Sequence, residues 1–331
     1  MEMVRVKLDF ISKSRNSAQL GYALVLISAV LVALMHVLAK PLLDNQTGFE
    51  IHPVGLAACV YIINGVFFTP LTRKSQSVAS LGRRNMLLLV AIGISEVIAL
   101  ITYFSGLKES TAANASIFSN GEIVFTLLIA MTIFKEQLQK REIGPFVMMM
   151  LGMMILPLAY DLYSHGVMIS DLVVGDALII VSGIFYAFGI MLCRYLSDRV
   201  DSKRITQIVS IVSGAFAIGA LVAFNIPFDV QLTSLGPIAL FAIGGTGFST
   251  MLFLISLRII GGVRTILLFS TNSVLGVMFA AILLGESITI VNVISVALTF
   301  GGVYLLRNRL GSKHNEAKTQ TKKQGLVLPT S

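Results

Sequence analysis

Apolar residues come along the chain in blocks separated by short polar stretches. Each block runs to about 20 residues, the length an α-helix needs to cross roughly 30 Å of hydrocarbon. No block sustains the period-two alternation of a membrane strand. In lipid a helix satisfies all of its own backbone groups, so helices are the predicted elements. The pattern predicts ten spans, at 20–39, 53–71, 86–107, 111–134, 144–160, 175–195, 205–225, 235–257, 265–284 and 288–306. From Arg307 onward the chain is polar, Lys-rich and aperiodic, which predicts a disordered tail on a membrane surface.

Composition agrees. Of 331 residues 55% are hydrophobic and only 13% charged, too few polar groups to cover a soluble core of this length. The net charge of +8 would suit a nucleic-acid partner if it formed a patch, but its placement argues against one. With the N-terminus in the cytoplasm and ten crossings, 23 of the 25 Lys and Arg fall on the inside, leaving only Lys40 and Lys108 outside. That asymmetry supports the span count and puts both termini in the cytoplasm of a plasma-membrane protein. The basic N-terminus (Arg5, Lys7, Lys13, Arg15) runs into a full-length apolar block with no small-residue cleavage site, which reads as an uncleaved first span. Cys59 and Cys193 both fall in apolar blocks and read as small core residues. No disulfide framework, metal spacing or Walker A sequence is present, so no cofactor is expected and no nucleotide drives the protein directly.

The chain also repeats itself. Ala91-Ile92-Gly93 recurs at 242–244, Leu107-Lys108 recurs as Leu257-Arg258, Glu136 recurs as Glu286, and Gly152 with Ile155-Leu156 recurs as Gly302 with Leu305-Leu306. All these offsets are 150 or 151 residues. Five spans per copy is an odd number, so the second copy enters the membrane upside down. Inverted repeats of this kind exchange conformations to give alternating access around a midplane site.

From Gly106 to Leu138 the chain reads GLKESTAANASIFSNGEIVFTLLIAMTIFKEQL, and a Gly-containing helix follows to Leu156. This stretch resembles the EamA-type family of the drug/metabolite transporter superfamily, whose fourth helix is rich in small residues and ends in a Glu. The second copy, SVLGVMFAAILLGESIT with Gly285-Glu286, fits the same pattern, and Gly175-Asp176 opens the sixth span as in the family's second half. The resemblance covers about residues 18–308. It implies ten helices and the export or exchange of small metabolites, amino acids or drugs. One departure stands out. The family's usual mid-helix Pro is absent from both copies, where Ile123 and Ser273 stand, so both helices are expected to be straighter.

Ionisable groups in hydrocarbon cost a few kcal/mol to insert and are functional candidates by default. Glu96 lies in the middle of the third span and Glu122 in the middle of the fourth. A very short loop makes these spans antiparallel neighbours. Thr111, Asn114, Glu122 and Thr126 share one face of the fourth span, and Tyr103 lies two turns from Glu96 on the third. A carboxylate pair at the midplane can take up and release protons or bind a cationic amine. The alternative is that these groups only make helix–helix hydrogen bonds while protonated. His36 is a candidate proton relay and equally a candidate for a structural hydrogen bond. Asn64 and Asn272 are candidate cavity residues or interhelical contacts, and Tyr186 is a weaker candidate for which packing is the preferred role. Lys40 and Arg194 lie near span ends and read as snorkelling, while Glu136 and Glu286 end helices and read as structural. No Lys or Arg sits in mid-membrane, which argues against phosphorylated or strongly anionic substrates.

The expected protein is therefore an all-α membrane protein of ten transmembrane helices in two inverted five-helix repeats. Its expected segments are a cytoplasmic N-terminus (1–17), a first repeat (18–160), an extracytoplasmic linker (161–174), a second repeat (175–307) and a basic cytoplasmic tail (308–331). The expected function is secondary transport, by alternating access, of a small neutral, zwitterionic or cationic metabolite or drug. Export is the expected direction, protons are a candidate coupling ion, and span glycines are candidates for homodimer contacts. A passive channel or lipid scramblase is the alternative. A scaffold or an intramembrane enzyme fits less well, since Val173 breaks the GxGD pattern of an aspartyl protease and no catalytic site is evident.

Overall fold

The computed structural model describes residues 2–44, 50–73, 75, 77–133, 140–152, 171–197, 199–302 and 304–305, and these are helical apart from turns and short connections. In chain order the helices are α1 (Glu2–Leu43), α2 (Pro53–Leu71), α3 (Gly82–Glu109), α4 (Ala112–Phe118), α5 (Gly121–Ile133), α6 (Lys140–Met150), α7 (Asp171–Ser197) and α8 (Ser202–Ala223). Next comes one long segment, Leu232–Ile260, containing α9 (Leu235–Phe241), a π-helical stretch (Ala242–Phe248) and α10 (Ser249–Ile260). The last are α11 (Gly262–Phe269), α12 (Thr271–Leu284) and α13 (Ile290–Gly302). Among the described residues seven helical segments are long and apolar enough to cross a membrane, and α13 is a shorter apolar helix. The expected span 111–134 is divided between α4 and α5, and the expected span 144–160 is described only as far as Gly152. Glu136 and the tail lie outside the described residues.

Local chemistry sets several helix ends. Pro53 occupies the first turn of α2, where its missing N–H is no loss. The His52 imidazole, held below the usual histidine range by burial and then by Lys108, accepts from the Val54 N–H at 3.3 Å. Lys40 Nζ donates to the carbonyls of Leu107 and Lys108 at the end of α3 (3.0 and 2.8 Å), a cation at the negative end of a helix. Glu286 does the converse, its carboxylate accepting from Ala112 N–H and Ala113 N–H at the start of α4 (2.8 and 2.9 Å).

The helix pairings are reciprocal. α3 packs along α7 as α10 packs along α1, α5 meets α7 as α12 meets α1, and α2 lies against α8. Individual contacts repeat the relation. A methyl group added to Gly152 would meet Ser295 O and Thr299 N at 2.7 and 2.8 Å, and one added to Gly302 would meet Pro145 O and Met149 N at 2.7 and 3.0 Å. These residues correspond one for one at an offset of 150. Asn120 Nδ2 bonds Ser270 O at 3.3 Å, joining two residues that are themselves 150 apart. Contacts that rise in number along α6 fall along α13, so equivalent helices run antiparallel and the axis relating them lies across the bundle.

The expected straightness of the fourth and ninth spans is corrected. α4 gives way to α5 at Ser119-Asn120, and α11 to α12 at Ser270, although neither site holds Pro. Polar side chains supply the interruption. Ser119 Oγ donates to Ser116 O (2.9 Å) and Thr271 Oγ1 to Leu268 O (2.8 Å). Such hydroxyls compete for carbonyls that a helix would otherwise use. The backbone ladder tightens there to Glu122 N–H···Ser119 O and Ser273 N–H···Ser270 O, both 3.4 Å. Asn120, fully buried, ties one break to the other.

Two apolar clusters fill the bundle. One joins the end of α1 and the start of α2 to Leu100–Leu107 and Ala112–Phe118. The other, at the opposite end, joins Leu89 and Ile92 to Leu196, Ile205 and Phe253. A cavity lies between them.

Candidate substrate cavity

α3 brings Glu96 to the cavity from its midpoint, and α5 brings Glu122 from its first turn, just past the break. Both approaches depend on glycines of α7. A methyl group on Gly189 would lie 3.1 Å from Glu96 Oε1, and one on Gly183 would lie 3.0 Å from Glu122 N. Tyr186, between those glycines, faces the same space. The break therefore places a carboxyl at the positive end of a half-helix, the arrangement that discontinuous transporter helices use at their sites.

The cavity has a volume of about 150 Å³, and its walls are mainly apolar. His36 stacks on Tyr103 with ring centroids 5.0 Å apart. Tyr61 O–H donates to the Glu96 backbone carbonyl at 3.0 Å. Asn64 Nδ2 donates to Thr246 Oγ1 across the cavity. His36 Nδ1, Tyr103 Oη, Asn64 Oδ1 and Asn272 Oδ1 are buried with no hydrogen-bond partner among the described residues, all on lining residues. Buried polar groups are nearly always paired, so four unpaired ones around one cavity point to a ligand that pairs them. Neither Glu96 nor Glu122 has a hydrogen-bond partner for its carboxylate among the described residues, and no Lys or Arg lines the cavity.

Of the residues expected from the sequence, His36, Asn64, Glu96, Tyr103, Glu122, Tyr186 and Asn272 line this one cavity. Asn114 and Thr126 do not. Asn114 donates to Asp176 Oδ2 (3.3 Å) and accepts from Asn292 Nδ2 (3.3 Å), while Thr126 Oγ1 donates within its own helix to Glu122 O (2.6 Å). Asp176 is not at a surface but wholly buried, and it also accepts from the Ser110 hydroxyl. Tyr61, Thr246, Ser249 and Thr250 line the cavity without having been singled out. One signal was available. Thr246 is 150 residues from Glu96, as Asn272 is from Glu122.

The model of the EamA-like transporter family matches residues 19–157 and again 173–308. The chain belongs to the EamA-like transporter family. An uncharacterized transporter of Methanothermobacter thermautotrophicus is 30% identical over 301 residues, covering 86% of this chain and 85% of that protein. A solved crystal structure matches the fold of this EamA-family transporter with a TM-score of 0.60 at 16% identity, over 88% of this chain and 96% of that chain. The two family matches, the long apolar helices and the reciprocal packing together make this a multi-pass membrane transporter with an internal repeat.

Proposed function

We propose that this EamA-family transporter is a secondary carrier of a small neutral, zwitterionic or cationic metabolite or drug. It works by alternating access across ten spans arranged as two inverted five-helix repeats, residues 18–160 and 175–307. The reciprocal, antiparallel contacts at an offset of 150 residues support the inverted arrangement. The distribution of Lys and Arg supports a plasma-membrane orientation with both termini in the cytoplasm, and export is the direction proposed with it.

One observation carries the reading. Two carboxylates with no basic partner among the described residues converge on a cavity lined by unpaired polar atoms. A volume of about 150 Å³ suits a ligand near the size of one aromatic ring. Carboxyl groups held there gain and lose protons as the site alternates between the two aqueous phases, which is the basis for proton exchange against substrate.

The test is transport in proteoliposomes loaded with a pH-sensitive dye and screened with amines, amino acids and drugs. Substrate-driven proton movement through the wild type, lost in Glu96→Gln or Glu122→Gln, is the expected result. Full coupled transport in both variants would remove the two glutamates from the mechanism. Passive, saturation-free conductance in place of coupled flux would instead support a channel or scramblase.

A further inference from the structure

We infer that the cavity selects a small monoamine, a single ammonium group on an apolar body of about one aromatic ring, bearing no carboxylate or phosphate. This rests on the transport reading above and narrows it to one substrate class.

The argument is a donor and acceptor count. The unpaired groups that face the cavity are mostly acceptors. Glu96 and Glu122 supply carboxylate oxygens. Asn64 supplies a third, and its orientation is fixed by its neighbour. Thr246 Oγ1 gives its one proton to Ala242 O at 2.7 Å, so it can only accept from Asn64 Nδ2, which leaves Asn64 Oδ1 as the unpaired atom. Asn64 is 1% exposed.

Several of the hydroxyls that line the cavity have their protons engaged, while Tyr103 Oη is left to serve a ligand. Tyr61, Ser119, Thr206 and Ser249 direct their protons to backbone carbonyls of Glu96, Ser116, Ser202 and Ser28, at 3.0, 2.9, 3.0 and 3.1 Å. With Thr246, five hydroxyl protons are already in use. An ammonium offers three donors and no acceptor, which complements such a site. A carboxylate on the ligand would meet no Lys or Arg among the described lining residues, and would sit against two like charges.

The repeats explain why one ammonium fits rather than two. Glu96 corresponds to Thr246 and Glu122 to Asn272 at the same offset of 150 residues, and all four line the cavity. Only the first repeat places charge there. Opposite it, Phe253, Leu254 and Phe269 form an apolar wall for the body of the ligand.

The experiment is titration calorimetry of the full chain in detergent at neutral pH with three probes that share a phenyl body: phenethylamine, 2-phenylethanol and phenylalanine. Phenethylamine should bind at least about tenfold tighter than either of the others, the worth of one charge-assisted hydrogen bond. Glu96→Gln and Glu122→Gln should each reduce that preference. Equal or tighter binding of phenylalanine or 2-phenylethanol overturns the inference, as does failure of phenethylamine to bind. Failure here is separable from failure of the transport reading. If phenethylamine does not bind while flux of another compound still requires the glutamates, the carrier stands and the amine class falls. If phenethylamine binds as expected but flux ignores both glutamates, the proposed coupling falls and the binding assignment stands.

Discussion

Gly106→Ala tests how tightly the two repeats are joined. Gly106 lies near the end of α3, against Gly175 in α7. An added methyl group would lie 2.5 Å from Gly175 O, 2.7 Å from Ile179 Cγ1 and 2.9 Å from Ile179 N. Two of these neighbours are backbone atoms, so no side chain can rotate away. Ordinary contact begins at 3.4 Å, so α3 and α7 must part by about 1 Å, and a gap of that size forfeits a quarter to a half of each nearby dispersion contact. Overpacking adds about 1–3 kcal/mol, for a total near 3 kcal/mol. At about 2–4 °C per kcal/mol, the melting temperature should fall by roughly 6–12 °C. Cys59 is buried away from the cavity and should react with a thiol-sensitive dye on unfolding, once Cys193, which lines the cavity, is replaced by Ser. Gly219→Ala is the matched control. It lies inside α8 with nothing within 4 Å of an added methyl group, so alanine should be neutral or stabilise by about 0.5–1 kcal/mol. A Gly106→Ala protein melting at or above wild type would refute the close-approach argument.

Two further substitutions probe charges at helix ends in the same assay. Glu286→Ala removes two charge-assisted bonds to the N–H groups that open α4 and should cost about 2 kcal/mol, with Glu286→Gln losing about half as much; an unchanged melting temperature in both would show that the contact carries no stability. Arg204, buried at the start of α8, donates to Thr72 O at 2.9 Å and to Gln207 Oε1 at 2.6 Å. Arg204→Ala should cost about 2–3 kcal/mol by removing hydrogen bonds to a charged group from a buried site, although Thr72 O keeps its bond from Ser75 N–H and Gln207 Oε1 its bond from Thr72 Oγ1; Arg204→Lys should restore little, because an ammonium cannot reproduce the guanidinium fork, and full rescue by Lys would point to charge alone.

What the sequence made legible was whatever depends on amount or on period. Blocks of apolar residues located the long helices, and isolated acids among them located Glu96 and Glu122. Asn114 and Thr126 were grouped with Glu122 because a continuous helix would align them. The break at Ser119-Asn120 ends that alignment and turns Asn114 toward Asp176 instead. Nothing in hydropathy marks such a break, which depends on hydroxyls competing for carbonyls and on a cross-bundle bond from Asn120. The π-helical stretch at Ala242–Phe248 was hidden for a similar reason, since its composition is that of any apolar helix. Tyr61 gives no signal either, because a lone tyrosine in the middle of an apolar span reads as packing.

The inequality of the repeats follows from what each part must do. A scaffold that exchanges two conformations has to keep its halves alike where helices bear on one another, because a contact made by one half is made by the other after the exchange. Gly152 with Gly302 keeps that rule, both pressed against partner backbone. Side chains that face a ligand are under no such rule, since the ligand is bound once and has two different ends. At those positions Glu96 corresponds to Thr246 and Glu122 to Asn272. On the proposed alternating-access motion, the exchange would keep Gly152 and Gly302 alike, while the cavity positions are free to differ because the proposed amine has two different ends.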